Sequence, residues 1–153
     1  MRTFKILLQF FYLLSLTTSP LAFATDFNHI KQIVIFGDSY SDNGNTYQIS
    51  KNTYPGQAYY LGRFFNGPTW SEYFAGKLGF DATDATKFRN YAYGQAQING
   101  KITLTTHQIH NPKHTWQFTV PDLTDEINQY LKEGDIKPKE TLYFIFIGIN
   151  QNI

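Results

Sequence analysis

Thr141–Ile147, TLYFIFI, is apolar at nearly every position. A strand with one wet face alternates apolar and polar side chains. A continuous apolar run therefore marks a strand covered on both faces, the usual state in a parallel sheet. Ile30–Phe36, IKQIVIF, is a second such strand, β-branched and stopped by Gly37. Two helical patterns lie between them. Pro68–Leu78 carries Trp70, Tyr73, Phe74 and Leu78 as a stripe, with Pro68 suited to the first turn and Gly79 to the stop. Pro121–Glu133 places Leu123, Ile127, Tyr130 and Leu131 on one face and ends at Gly134. Strand, helix, helix, strand predicts an α/β fold built on a parallel sheet.

The remaining segments are shorter or less regular. Gly44–Gly67 reads as loop, and Phe88–Tyr93 as a short apolar segment ending at Gly94. Ile98–Val120 lacks a helical stripe and is broken by Asn111-Pro112, which predicts a hairpin or a long irregular insertion. Two or three strands and two helices make the front part of an α/β domain, with the C-terminal part expected to be missing.

Composition narrows the class. Apolar residues are 42% and charged residues 16%, enough to build a core. The formal charge of +1 comes with no basic run, which argues against a nucleic-acid partner. There is no Cys, so disulfides, thiolate metal sites and cysteine nucleophiles are excluded. Arg2 and Lys5 precede the short apolar run Ile6–Leu16; Ser19-Pro20 breaks it, and Ala22-Phe23-Ala24 has the small-x-small pattern of a signal-peptidase site. The run is short for a bilayer span. Residues 1–24 are expected to be the signal peptide of an exported protein, and 25–153 the N-terminal part of its folded domain.

Gly37-Asp38-Ser39 falls where the first strand ends. Ligands and reacting groups collect at the carboxyl ends of strands in open α/β sheets. A serine there lies near free backbone N–H groups that can stabilise an oxyanion. Taken alone, the tripeptide reads more readily as a turn or an N-cap than as a nucleophile.

The longer string, Gly37-Asp38-Ser39-Tyr40-Ser41-Asp42-Asn43-Gly44-Asn45, resembles the first motif of the GDSL lipase/esterase family, the SGNH hydrolases. GRFFNGPTWSEYFA (Gly62–Ala75), NYAYGQA (Asn90–Ala96) and FIGIN (Phe146–Asn150) resemble further family segments in the family's order. The resemblance implies an α/β/α sandwich and a serine ester hydrolase, lipase- or phospholipase-like, that needs no cofactor and no metal. Residues 25–153 would be the N-terminal part of that hydrolase domain. The resemblance implies Ser39 as nucleophile, with its own N–H, an N–H at Gly94 and the Asn150 side chain as the oxyanion hole. Gly37, Asp38, Asp42 and Asn45 would support the site. Two positions depart from the pattern. Gln95 stands where the family has a second glycine, leaving open which of residues 94 and 95 gives the N–H, and Gln151 stands where an Asp is common.

A serine needs a base, usually His oriented by a carboxylate. The family takes both from a DxxH motif near its C-terminus, which is not found after Asn150 here. Asp26-Phe27-Asn28-His29 spells the motif at the wrong end of the domain. His107, His110 and His114, with Pro112 between two of them and no nearby carboxylate, read as solvated loop histidines rather than a metal site. Asp122, Asp125 and Glu126 suit the helix dipole. The chain is thus expected to be a truncated form, poorly active or inactive alone. The alternatives are half of a split enzyme completed by another chain, or an exported lipid- or sugar-binding protein. The expected partner is a lipid or other ester, with peripheral membrane contact left open.

Overall fold

A computed structural model describes residues 27–108 and 111–151. The proposed signal peptide and Asp26 lie outside the described residues, as does His110. A 3-10 turn at Phe27–His29 precedes β1, Gln32–Gly37. Next come a short helix α1, Asn45–Ile49; helix α2, Trp70–Lys77; and β2, Phe88–Asn90. β3, Ile102–Gln108, and β4, Asn111–Val120, lead to helix α3, Leu123–Glu133, and β5, Thr141–Phe146.

Three strands form a parallel sheet in the order β2-β1-β5. β1 is central and buried at every position, because strands flank both edges and helices cover both faces. Its residues alternate between the two layers. Ile33 and Ile35 pack with Ala75 of α2, joined by Trp70, Leu142 and Phe144. Val34 and Phe36 pack with Tyr91 and with Tyr130 of α3, joined by Leu123 and Ile127. The chain has an α/β fold of helix, sheet and helix layers. β3 and β4 form a separate antiparallel hairpin, so the insertion is regular. Its base packs Phe118 and Val120 against Tyr93 and Ala96, in the loop after β2.

Three expectations need correction. Helix α2 begins after Pro68. Thr69 is its N-cap in a capping box with Glu72, which satisfies the first free amides better than a proline can. Its inner face is Ser71 and Ala75, while Tyr73 is 63% exposed; small side chains let this helix lie close on the sheet. β5 is not buried along its length. Leu142 and Phe144 pack under α2, but Ile145 is 60% exposed and Phe146 is exposed beside it. Helix α3 covers β1 and reaches β5 only at Tyr143, through Tyr130, so Ile145 beyond it on the same face stays open. Finally, the Gly44–Gly67 loop contains α1 and a 3-10 turn at Tyr60–Gly62.

Candidate active site

The carboxyl ends of β2, β1 and β5 lie side by side and carry the three segments singled out in the sequence. Gly37 closes β1 against β5. A Cβ there would run into the Phe146 carbonyl oxygen, so only glycine fits. The Phe146 carbonyl then accepts the Asp38 N–H at 3.2 Å. The chain turns sharply, with the Ser41 and Asp42 amides donating to the Asp38 carbonyl at 2.9 and 3.0 Å. Ser39 is half-buried on this turn, and Tyr40 beside it is exposed.

Asp42 organises the backbone around this turn. Its Oδ1 accepts the amides of Gly44 (2.8 Å) and Asn45 (2.7 Å), and its Oδ2 those of Thr46 (3.2 Å) and Gly94 (2.8 Å). One buried carboxyl thus gathers the start of α1 and the loop after β2. Asn45 Nδ2 donates to the Asn90 and Ala92 carbonyls at 2.9 and 3.0 Å, and Asn90 Nδ2 to the Ser41 carbonyl at 2.7 Å. The four supporting residues named from the sequence therefore meet around the serine turn.

The loop after β2 uses one of its amides internally. The Gly94 N–H is directed at Asp42, and also donates to Thr46 Oγ1 at 2.7 Å, so this donor is committed within the scaffold. The Phe64 ring lies where a Gly94 side chain would go. Gln95 has φ 73°, a left-handed conformation in which a non-glycine residue is strained. Its side chain lies close enough to the Tyr54 hydroxyl to oppose the rise that burial imposes on that tyrosine's pKa. Asn150 docks onto the same loop: its Nδ2 donates to the Ala96 carbonyl at 3.2 Å, and its carbonyl accepts Gln97 Nε2 at 2.8 Å. A primary amide has two N–H donors, so the Ala96 bond uses one of them. Gln151, the second departure, accepts the Ile98 amide at 3.2 Å.

The electrostatics of this corner come from three buried carboxyls, Asp38, Asp42 and Glu126. Glu126 reaches in from α3, and its Oε2 accepts the Gly37 N–H at 2.8 Å. It is not a surface partner of the helix dipole, as its position had suggested. Burial pushes its pKa up to about 9; the Gly37 and Tyr93 amides oppose this, and the charges of Asp42 and Asp38 add to it. At neutral pH it is therefore a neutral acid. Burial also raises Asp38 and Asp42. For Asp42 the Thr46 hydroxyl and the amides pull back. For Asp38 the Tyr40 amide does so first, at 3.1 Å from Oδ1. The amides of Ile149 and Gly148 also lower the Asp38 pKa, yet neither makes a well-formed bond, and Asp38 Oδ2 has no partner among the described residues. Sequence reasoning missed Glu126, although a signal existed. It stands on the stripe formed by Leu123, Ile127 and Tyr130, where a carboxylate is out of place unless bonded inside.

The described histidines are elsewhere. His29 precedes β1, at the end of the sheet opposite Ser39, and β1 itself spans roughly 16 Å at ordinary strand rise. His107 pairs with Thr115 in the hairpin, and His114 is its neighbour. Among the described residues no group of three or more His, Cys, Asp or Glu could hold a metal ion. No helix among them is long and apolar enough to cross a membrane.

The model of the GDSL-like lipase/acylhydrolase family matches residues 33–152. The chain belongs to this GDSL family. Its family match runs from β1 to just past Asn150 and so includes the serine turn, the loop after β2 and the end of β5. Over 121 residues this GDSL chain is 30% identical to the phosphatidylcholine-sterol acyltransferase of Aeromonas hydrophila, covering 78% of the chain and 32% of the relative. Over 128 residues it is 27% identical to the thermolabile hemolysin of Vibrio parahaemolyticus, covering 80% of the chain and 26% of the relative. The GDSL chain thus matches about a third or less of each relative's length.

Proposed function

We propose that this chain carries the nucleophile and the oxyanion-stabilising groups of a serine-dependent acyl hydrolase or acyltransferase acting on lipid esters. The observation that carries this reading is the convergence of the Ser39 turn, the Gly94–Gln97 loop and Asn150 at adjacent ends of one parallel sheet. Ser39 Oγ bonds to the acyl carbonyl carbon and loses its proton to a base, and the carbonyl oxygen becomes an oxyanion. Collapse of that intermediate breaks the ester C–O bond and sends the proton to the departing alcohol. Water or another alcohol then takes the acyl group from the serine. The Ser39 N–H and the second Asn150 Nδ2–H are the natural oxyanion donors. Because the Gly94 amide is committed to Asp42 and Thr46, the Gln95 amide is assigned as the third. Each such donor is worth about 2.7–4 kcal/mol in a transition state of this kind.

Asp38, Asp42 and Glu126 are read as scaffold, because each carboxyl accepts at least one backbone amide. The base and its orienting acid come from residues beyond those described, on a complementing polypeptide or elsewhere in a longer protein. Ile145 and Phe146, exposed on β5, favour a further segment packing there. The lipid substrate follows from the name of the Aeromonas relative, and export from the N-terminal pattern of the sequence.

The test is hydrolysis of p-nitrophenyl esters by the purified chain, compared with Ser39→Ala. Turnover by this chain alone is expected to be weak. Vigorous turnover lost in Ser39→Ala would overturn the missing-base part of the reading. Weak turnover unchanged by Ser39→Ala, even with a polypeptide supplying the DxxH pair present, would overturn the role of Ser39.

A further inference from the structure

Gly56–Leu61, GQAYYL, is a run of six exposed, uncharged residues. At its tip Leu61 has φ 43° and ψ 41°, a left-handed conformation that bulky side chains avoid, and it is 67% exposed. Tyr59 and Tyr60 beside it are 46% and 41% exposed. A strained backbone that presents an apolar side chain to water gains nothing within this chain. Strain of this kind persists only where surrounding structure enforces it, and the surroundings here are specific. Arg63 Nη1 donates to the Leu61 carbonyl at 2.8 Å, Arg63 pairs with Glu72, and Glu72 is locked in the capping box of α2. A Cβ on Gly62 would collide with Tyr47, which fixes the tip from the other side.

The tip also sits beside the candidate site. The Tyr60 N–H donates to the Phe65 carbonyl at 2.9 Å, and the Phe65 ring lies edge-on to Tyr40, next to Ser39, at 5.8 Å. Tyr40 in turn meets exposed Phe146 at 5.9 Å. The apolar surface therefore runs from Leu61 towards the mouth of the site. Two tyrosines flanking an aliphatic tip match the polarity gradient of a membrane–water boundary, where amphipathic rings settle at headgroup level.

We infer that the Tyr59–Leu61 turn is an interfacial anchor that seats this protein on a zwitterionic phospholipid surface with the Ser39 turn facing the lipid. The contact is apolar. The run holds no charge and Arg63 is already paired, so association does not depend on anionic lipid.

The experiment is co-sedimentation of the chain with phosphatidylcholine vesicles. Binding is expected, changing less than about twofold as salt is raised to a level that screens surface charge. Leu61→Gly removes the apolar tip while accepting the left-handed backbone. It is expected to bind about tenfold more weakly, the scale of losing one largely buried Leu, and to melt at a temperature no lower than the parent. Leu61→Asp is expected to abolish binding. Ser39→Ala is expected to bind like the parent, which separates this inference from the catalytic reading. Unchanged vesicle binding in both Leu61 variants would overturn it, as would no binding by the parent chain. Self-association without vesicles that Leu61→Asp abolishes would also overturn it, by making the tip a contact between copies.

Discussion

Gln95 is where local cost and site geometry meet. At φ 73° a glutamine is strained by about 1–2 kcal/mol relative to its ordinary conformations, and only part of this returns through its contact with Tyr54. Gln95→Gly relieves the strain but adds unfolded-chain entropy. The net expectation is a gain of about 0.5–1 kcal/mol, read from chemical denaturation, with the Gly94 bond to Asp42 intact. Glu126 has the opposite character: its backbone is ordinary helix, but its buried carboxyl, with Oε1 unpartnered among the described residues, binds a proton on folding. Its native pKa of about 9 lies above the ordinary carboxyl value, so the native state holds more protons than the unfolded state between about pH 4.5 and 9. Its contribution is complete below that window and is lost as pH rises through it, by up to about 1.4 kcal/mol per pH unit. Asp38 and Asp42 are shifted the same way. Asp81, Asp84 and Glu133 are shifted down, so what they contribute is present across this window and is lost only as pH falls below the ordinary carboxyl range. Denaturation midpoints are expected to fall from pH 5 to pH 8 in the parent and to flatten in Glu126→Gln. An equal slope in the variant would remove Glu126 as the source.

Among the elements, what was legible in the sequence was whatever a short window encodes. β1 and β5 announce themselves by composition, the hairpin by its β-branched residues and central Asn-Pro, and the helix stops by Gly79 and Gly134, both at positive φ. Faces were harder. Tyr73 fits the spacing of α2 yet points out, because Ser71 and Ala75 allow a closer approach to the sheet than a tyrosine would. The bond between Glu126 and Gly37 spans 89 residues, and no local pattern reports it. Likewise, the commitment of the Gly94 amide depends on Asp42, 52 residues earlier. Helix α2 also carries a test at its own scale. Thr69 Oγ1 accepts the Glu72 amide at 3.4 Å, and the Thr69 N–H returns a bond to Glu72 Oε2 at 2.7 Å. Thr69→Ala is expected to cost about 1 kcal/mol, measured by thermal or urea unfolding. It should also loosen Arg63, whose partner Glu72 the capping box holds.

Over the whole molecule, the layers are arranged so that one strand serves everything. β1 lies under α2 and α3, pairs with β2 and β5, and ends in the serine turn. The pairing of β1 with β5 leaves one side of β5 apolar and open, with Ile145 at its centre. The candidate site is consequently rigid along β1 and β2, and its Asn150 side depends on a strand with less support.

The join between β1 and β5 also sets a clock. Gln32 and Thr141, paired across it, are 109 residues apart, whereas β3 and β4 close locally. Contacts between distant parts of a chain form slowly, because loop closure must precede any reward. The hairpin is therefore expected to gain protection from hydrogen exchange first during refolding. The Gly37 amide, held by Glu126, should gain it only when the chain has come together across most of its length. Pulse-labelled exchange can read that order directly. A ribosome would have to release β5 before the Asp38 amide could bond to the Phe146 carbonyl, so the serine turn emerges early and closes only when that distant strand arrives.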